Sequence, residues 1–121
     1  MLTNNDKILI KHIAKECDFL LTNSRNITYS EFIKDLVLMR AFERSIEIIG
    51  EAAKKLSIEF RNQNTQINWR AISGMRDKLI HDYFGVDYQI VWDVASNKTK
   101  EILDYIDLLS KNEDLPKSLF E

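Results

Sequence analysis

The longest regular pattern in this chain is a series of nine apolar residues that recur at steps of three or four over 29 positions. Such spacing places side chains on one face of an α-helix, and no proline interrupts it. We therefore predict a long amphipathic helix that begins at the capping box Thr28-Tyr29-Ser30-Glu31 and forms the spine of the fold. The nine residues are Phe32, Leu36, Met39, Phe42, Ile46, Ile49, Ala53, Leu56 and Phe60.

Three further segments have helical spacing. The first covers about residues 5–22, another begins at Trp69 after the N-cap Asn68, and the last follows a turn at Gly85 with Asp87 as its N-cap. Short polar connectors join the segments, and we expect the chain to fray after about residue 110. We therefore predict a single all-α domain over 1–121, an antiparallel up-and-down four-helix bundle. The apolar stripes of these segments are Ile10, Ile13, Cys17 and Leu20; Trp69, Ile72, Met75 and Leu79; and Val91, Ala95, Ile102, Tyr105 and Leu109.

Composition narrows the function classes. A net charge of −2 argues against a nucleic-acid coat protein, although residues 40–81 hold eight basic and five acidic side chains and leave room for a local basic site. One cysteine excludes a disulfide framework, and no apolar run approaches the ~18 residues of a membrane span. The two histidines, His12 and His81, are far apart in sequence, so we expect no metal site and no cofactor. A cytoplasmic protein is expected.

Only residues 70–84 concentrate groups capable of acid–base or phosphate chemistry. They include His81, a near-neutral proton carrier, among arginine, lysine, aspartate and tyrosine side chains. On an ideal helix, at about 100° per residue, Arg76 and Tyr83 fall within about 40° of Ile72, on the apolar stripe. A guanidinium there must be paired, or must face a cleft or another chain, because its unpaired burial is costly.

The same geometry separates Arg76 from His81 by about 140°, so their side chains do not converge on an undistorted helix. Either the helix loosens before His81, as the turn at Gly85 allows, or His81 of one subunit works beside Arg76 of another. Gly74 lies on the histidine side and would admit a second helix, which favours a dimer. Gly50, on the long helix, is also expected to allow another helix to approach closely.

Together, Arg76, His81 and Tyr83 form the pattern Arg-X4-His-X-Tyr, which resembles the signature of the HepT-like branch of the HEPN superfamily. Arg-X4-His alone occurs by chance in many proteins, whereas an ordered set of segments from Phe32 to Trp92 also resembles this family. Asp77 departs from the family pattern, in which a small polar residue, often asparagine, follows the arginine. The similar segments are 48–56, 69–70, 74–76, 81–87 and 90–92.

The resemblance implies a small helical ribonuclease that acts as the toxin of a toxin–antitoxin pair and works as a dimer without metal. It implies that Arg76 and His81 are the catalytic pair, and that a minimal nucleotidyltransferase antitoxin adenylylates Tyr83. RNA supplies its own nucleophile, the 2′-OH, so the enzyme needs only a proton shuttle and a cation near phosphorus. An AMP group on the tyrosine would repel RNA and block the site. RNA, the antitoxin and a second copy of the chain are the expected partners.

Five other residues are secondary candidates. Asp77 and Glu51 are predicted to support the catalytic pair, and Lys54, Arg70 and Lys78 to line an RNA path. The structural alternatives stay open, because Glu51 precedes a lysine by one turn and scattered surface cations usually form a solvated face.

The catalytic assignments have structural alternatives too. Arg76 could pair with Asp82 or with a neighbouring helix, and His81 could form an exposed i, i+4 pair with Asp77. Tyr83 could be a core aromatic with its hydroxyl at the rim. A second function also fits the same helices, namely a non-catalytic adaptor that binds a substrate and presents it to a nucleotidyltransferase. RNA cleavage that survives EDTA would distinguish the enzyme from the adaptor.

Overall fold

The computed structural model describes residues 2–79 and 85–111, and the regular elements of these ranges are helices. This confirms the all-α prediction, and three of the helices are long. His81 and Tyr83, and the predicted frayed tail beyond 111, lie outside the described residues. The helices are α1 (Asn4–Ser24), α2 (Tyr29–Phe32), α3 (Leu36–Lys55), α4 (Ile58–Gln63), α5 (Trp69–Ser73), α6 (Met75–Leu79), α7 (Tyr88–Asp93) and α8 (Thr99–Lys111), with a π-helical segment, Val94–Lys98, between the last two.

The predicted long second helix is wrong, because the chain breaks twice and forms α2, α3 and α4. Asp35 begins α3 by accepting a hydrogen bond from Leu38 N at 3.0 Å. Ser57 begins α4 in the same way, accepting from Phe60 N at 3.1 Å. The apolar spacing continues across these breaks because all three helices pack their apolar residues into the same core. Leu36, in the first turn of α3, is the clear exception, because it is 56% exposed.

The other local predictions are largely confirmed. The capping box is present, with Thr28 and Glu31 each accepting from the other's backbone N–H. Gly85 has a φ of 82°, and Asp87 caps α7 by accepting from two backbone N–H groups. The third predicted helix does begin after Asn68, but Gly74 divides it into α5 and α6.

Helix α1 packs against α3 and α8. At its beginning, Asp6 accepts hydrogen bonds from Ser57 N at 2.9 Å and from Ser57 Oγ at 2.6 Å, just beyond the end of α3. Further along, Ser45 Oγ of α3 donates to Glu16 Oε1 at 2.9 Å. The two helices therefore run antiparallel. In the part of the chain that the structure describes, no helix is long and apolar enough to cross a membrane.

Candidate active site around Arg76

A close backbone approach between α3 and the end of α5 positions the candidate site. A Cβ atom on Gly50 would lie 3.4 Å from Ile72 O and 3.5 Å from Ser73 O, in van der Waals contact, so the two backbones lie close together. Another helix therefore approaches α3 at Gly50, as predicted. Helix α6, which carries Arg76, begins two residues after Ser73 and therefore starts beside α3.

Arg76 shares a carboxylate with a second arginine. Its Nε lies 3.8 Å from Glu47 Oε1 of α3, and Arg44 Nη1 lies 3.3 Å from the same oxygen. The side chains of Arg76 and Glu47 are 53% and 34% exposed. The guanidinium thus lies beside a carboxylate and is open to solvent, so an anionic group can approach it.

The sequence placed Arg76 on the apolar stripe, where a guanidinium must be paired or must face a cleft or another chain, and the structure has it exposed beside Glu47 of a neighbouring helix. Ile72, Met75 and Leu79 are buried as predicted, whereas Arg76 is exposed. The helical wheel assumed an unbroken helix from Ile72, but Gly74 has φ −91° and ψ 0° and ends α5. The apolar stripe nevertheless keeps its spacing through Met75 and Leu79, and Arg76 lies beside this stripe on the exposed side.

Sequence reasoning missed Glu47 and assigned the supporting carboxylate to Glu51, which is exposed and makes no ion pair with the described residues. The signal was present, since Glu43, Glu47 and Glu51 follow one another at intervals of one helical turn on α3. Such residues lie on one face, and only the position of α6 selects among them.

Two contacts hold the chain on either side of residues 80–84. Asp87 N donates to Leu79 O at 2.7 Å, which brings the end of α6 next to the start of α7. Tyr88 OH donates to Glu43 Oε2 at 3.0 Å and ties α7 to α3. Burial and this hydrogen bond to a carboxylate raise the pKa of Tyr88. The flanks of the segment that contains the predicted His81 and Tyr83 are therefore anchored near Glu47.

The other predicted residues lie at the surface. Asp77 and Lys54 are exposed, and so are Arg70 and Lys78, which line different concavities. Lys78 borders a cavity of about 380 Å³ between α5–α6 and the helix that contains the π-helical segment. The structure thus does not gather the three cations Lys54, Arg70 and Lys78 into one cluster within a single concavity.

Two remaining observations concern Gly74 and metal ligands. A Cβ on Gly74 would meet only Arg70 O and Ala71 O of the preceding turn, so among the described residues no second helix uses the gap. Over 2–79 and 85–111, no three His, Cys, Asp or Glu side chains converge as metal ligands would.

Comparison with known proteins gives one consistent result. Residues 10–109 match the family model described as "HepT-like: Ribonuclease HepT-like". "Putative RNase TTE0752" of Caldanaerobacter subterraneus subsp. tengcongensis is 50% identical over 93 residues, covering 77% of this chain and 83% of that protein. "Probable ribonuclease HepT" of Thermococcus cleftensis is 36% identical over 104 residues, covering 82% and 94%. "Putative RNase MJ0127" of Methanocaldococcus jannaschii is 40% identical, covering 74% of each chain. No solved structure matched.

Proposed function

This chain belongs to the HepT-like ribonuclease family, and we propose that it is a metal-independent RNA endonuclease with Arg76 and His81 as its catalytic pair. The observation that carries the proposal is the family match over residues 10–109, which includes both residues. The exposure of the Arg76 guanidinium supports it, because a cation that meets a phosphodiester must be accessible.

In the proposed reaction the 2′-oxygen of a ribose attacks the adjacent phosphorus while His81 accepts the proton of the 2′-OH. The bond from phosphorus to the 5′-oxygen breaks, the 5′-oxygen takes up a proton, and a 2′,3′-cyclic phosphate remains. Arg76 stabilises the negative charge that builds on the phosphoryl oxygens, to which guanidinium can donate two hydrogen bonds at once. Asp77 and Glu51 remain candidates for supporting this pair, and Glu47 joins them by its contact with Arg76.

The proposed enzyme is a homodimer whose sites combine Arg76 of one subunit with His81 of another. A regular helix would separate the two positions by about 140°, which favours a site shared between subunits. Complementation tests it. In an equal mixture of Arg76→Ala and His81→Ala subunits, about half of the dimers are mixed, and each mixed dimer keeps one intact site of two. A shared site therefore restores about a quarter of wild-type activity, whereas a site within one subunit restores none.

We further propose that the ribonuclease is a toxin, inactivated when a minimal nucleotidyltransferase antitoxin transfers AMP to Tyr83. A negative phosphate beside the site would repel RNA. Co-expression with a minimal nucleotidyltransferase antitoxin should add AMP to the wild-type chain and not to Tyr83→Phe. If the two chains gain the same modification, the assignment to Tyr83 is wrong.

We also propose that the helices form the predicted antiparallel up-and-down four-helix bundle. The antiparallel pair α1 and α3 supports it, with α5–α6 as an interrupted third helix and α7–α8, joined by the π-helical segment, as the fourth.

The direct test uses the purified full chain with single-stranded RNA in EDTA. We expect cleavage by the wild type and none by His81→Ala. His12→Ala is the matched control, because His12 is the second histidine and is exposed on α1. Absence of cleavage by the wild type, with tight binding to the transferase, would instead support the non-catalytic adaptor.

A further inference from the structure

Beyond the catalytic pair, we propose an accessory RNA-phosphate subsite between α4 and α5, which rests on the proposed ribonuclease function. The subsite is an open concavity of about 520 Å³. We call it the Arg61–Arg70 concavity, and the residues that carry the argument are Ile58, Arg61, Asn62, Thr65, Asn68 and Arg70.

The charge of this concavity is its first distinguishing feature. Two arginines line it and no carboxylate does, although the whole chain has a net charge of −2. Over the described ranges neither Arg61 nor Arg70 forms an ion pair, in contrast to Arg44 and Arg76, which share Glu47. Unpaired cations on an acidic protein concentrate polyanions locally.

Arg61 supplies the second feature. Its Nε is buried and has no hydrogen-bond partner among the described residues. A buried donor without an acceptor is costly, so such a group in a folded protein calls for an explanation. An RNA phosphate in the concavity cannot reach this buried nitrogen, but it can accept hydrogen bonds from the two terminal guanidinium nitrogens of Arg61, which are not buried.

The rim adds neutral donors. Asn68 uses its Oδ1 to cap α5, accepting from Ala71 N at 3.0 Å, which leaves its amide nitrogen as a donor. Asn62 near the end of α4 and Thr65 on the connector that follows are exposed and carry further N–H and O–H groups. Ile58 is 64% exposed and offers an apolar surface to a ribose or base.

The connector between the two arginines is held in place by hydrogen bonds, of which those of Asn64 to Phe60 and Trp69 are buried. Asn64 donates from Nδ2 to Phe60 O at 2.8 Å, and its own carbonyl accepts from Trp69 Nε1 at 2.8 Å. Tyr105 OH of α8 bonds to Asn64 Oδ1 and lies 3.1 Å from Gln66 Oε1. The cations therefore extend from a preorganised frame, which lowers the entropy lost when a ligand binds.

The concavity is also within reach of the proposed catalytic centre. Arg70 precedes Arg76 by six residues, and six residues span at most about 20 Å even when fully extended. A strand of a few nucleotides is therefore long enough to reach from one to the other. The subsite would raise affinity for the strand without taking part in the bond-breaking step.

The test measures how RNA affinity depends on salt. Log affinity falls with log salt by about 0.7 for each phosphate that a protein contacts on a single strand. We would titrate the full-length protein with a 2′-O-methyl RNA oligonucleotide, which lacks the attacking hydroxyl, at several KCl concentrations. Arg61→Gln and Arg70→Gln should each lower the slope by about 0.7, and the double variant by about 1.4, which corresponds to about 25-fold weaker binding near 0.1 M salt.

The control is the double variant Lys11→Gln and Arg25→Gln, which removes the same charge from exposed positions outside the concavity. Its slope should stay within experimental error of the wild type. Arg61→Lys keeps the charge, so it should retain the wild-type slope while losing the hydrogen-bond fork. In cleavage assays Arg70→Gln should raise KM and leave kcat unchanged.

The results separate this proposal from the proposed function. If the wild type binds and cleaves RNA but the arginine variants match the control, the subsite is wrong and the ribonuclease stands. If the wild type neither binds nor cleaves RNA, the proposed function itself is wrong, and the subsite with it.

Discussion

Replacing Arg76 by alanine should separate a large loss of cleavage from a small loss of stability. The Nε of Arg76 is 3.8 Å from Glu47 Oε1, and two unit charges at that separation in water interact by about 1 kcal/mol. The arginine is 53% exposed, and exposed pairs contribute only ~0.2–1 kcal/mol. We therefore expect Arg76→Ala to lower the free energy of unfolding by less than about 1 kcal/mol.

The expected kinetic effect is much larger. Removing one preorganised donor from a developing oxyanion costs other enzymes about 10²–10³ in kcat. Arg76→Ala should therefore lower single-turnover cleavage at least 100-fold. The cleavage rate of Arg76→Lys should lie between those of the wild type and Arg76→Ala, because a lysine keeps the charge and loses the bidentate geometry.

Arg44 provides the matched control for this experiment. It contacts the same Glu47 oxygen at 3.3 Å and is 66% exposed, so Arg44→Ala removes an equivalent ion pair. Urea unfolding followed by circular dichroism should give similar small changes for both variants, while only Arg76→Ala loses cleavage of a labelled RNA. Equal loss of cleavage in both variants, or a decrease of several kcal/mol in the free energy of unfolding of Arg76→Ala, would refute the catalytic role of Arg76.

Three further predictions concern stability and reactivity. Burial alone would raise the pKa of Asp6, but hydrogen bonds from Ser57 and Thr3 outweigh it and hold that pKa below its usual value. Because the folded-state pKa is lowered, the stabilisation is present above about pH 4 and is lost as the pH falls further. In urea unfolding, Asp6→Asn should therefore lower the free energy of unfolding by about 1–3 kcal/mol at pH 7 and by progressively less below pH 4. A difference between variant and wild type that does not change with pH would contradict this. Gly85→Ala should cost about 1–2 kcal/mol in the same assay, from the φ of 82° alone, since nothing lies within 4 Å of the added Cβ, and an unchanged midpoint would contradict it. Cys17 is fully buried and burial raises its pKa, so a thiol reagent should label it only at the rate of unfolding; rapid labelling under native conditions would be inconsistent with this packing.

Local patterns predicted the helical class and most of the caps because these depend on residues a few positions apart. The interaction of Thr28 with Glu31 and the cap at Asp87 are of this kind. The break at Ser57 depends in addition on Asp6, 51 positions earlier in the chain, whose carboxylate accepts both the backbone N–H and the hydroxyl of Ser57. No periodicity reveals a contact over that distance.

The sequence pattern could not identify the partner of Arg76 for a related reason. Three glutamates at one-turn intervals on α3 were all equally suitable, and the choice of Glu47 depends on where the end of α5 lies against α3, beside Gly50. Gly74 ends α5, and Arg76 and His81 both follow it in the sequence. The angle that separates them on a regular helix therefore does not depend on Gly74, and the proposal of a shared dimer site rests on that angle.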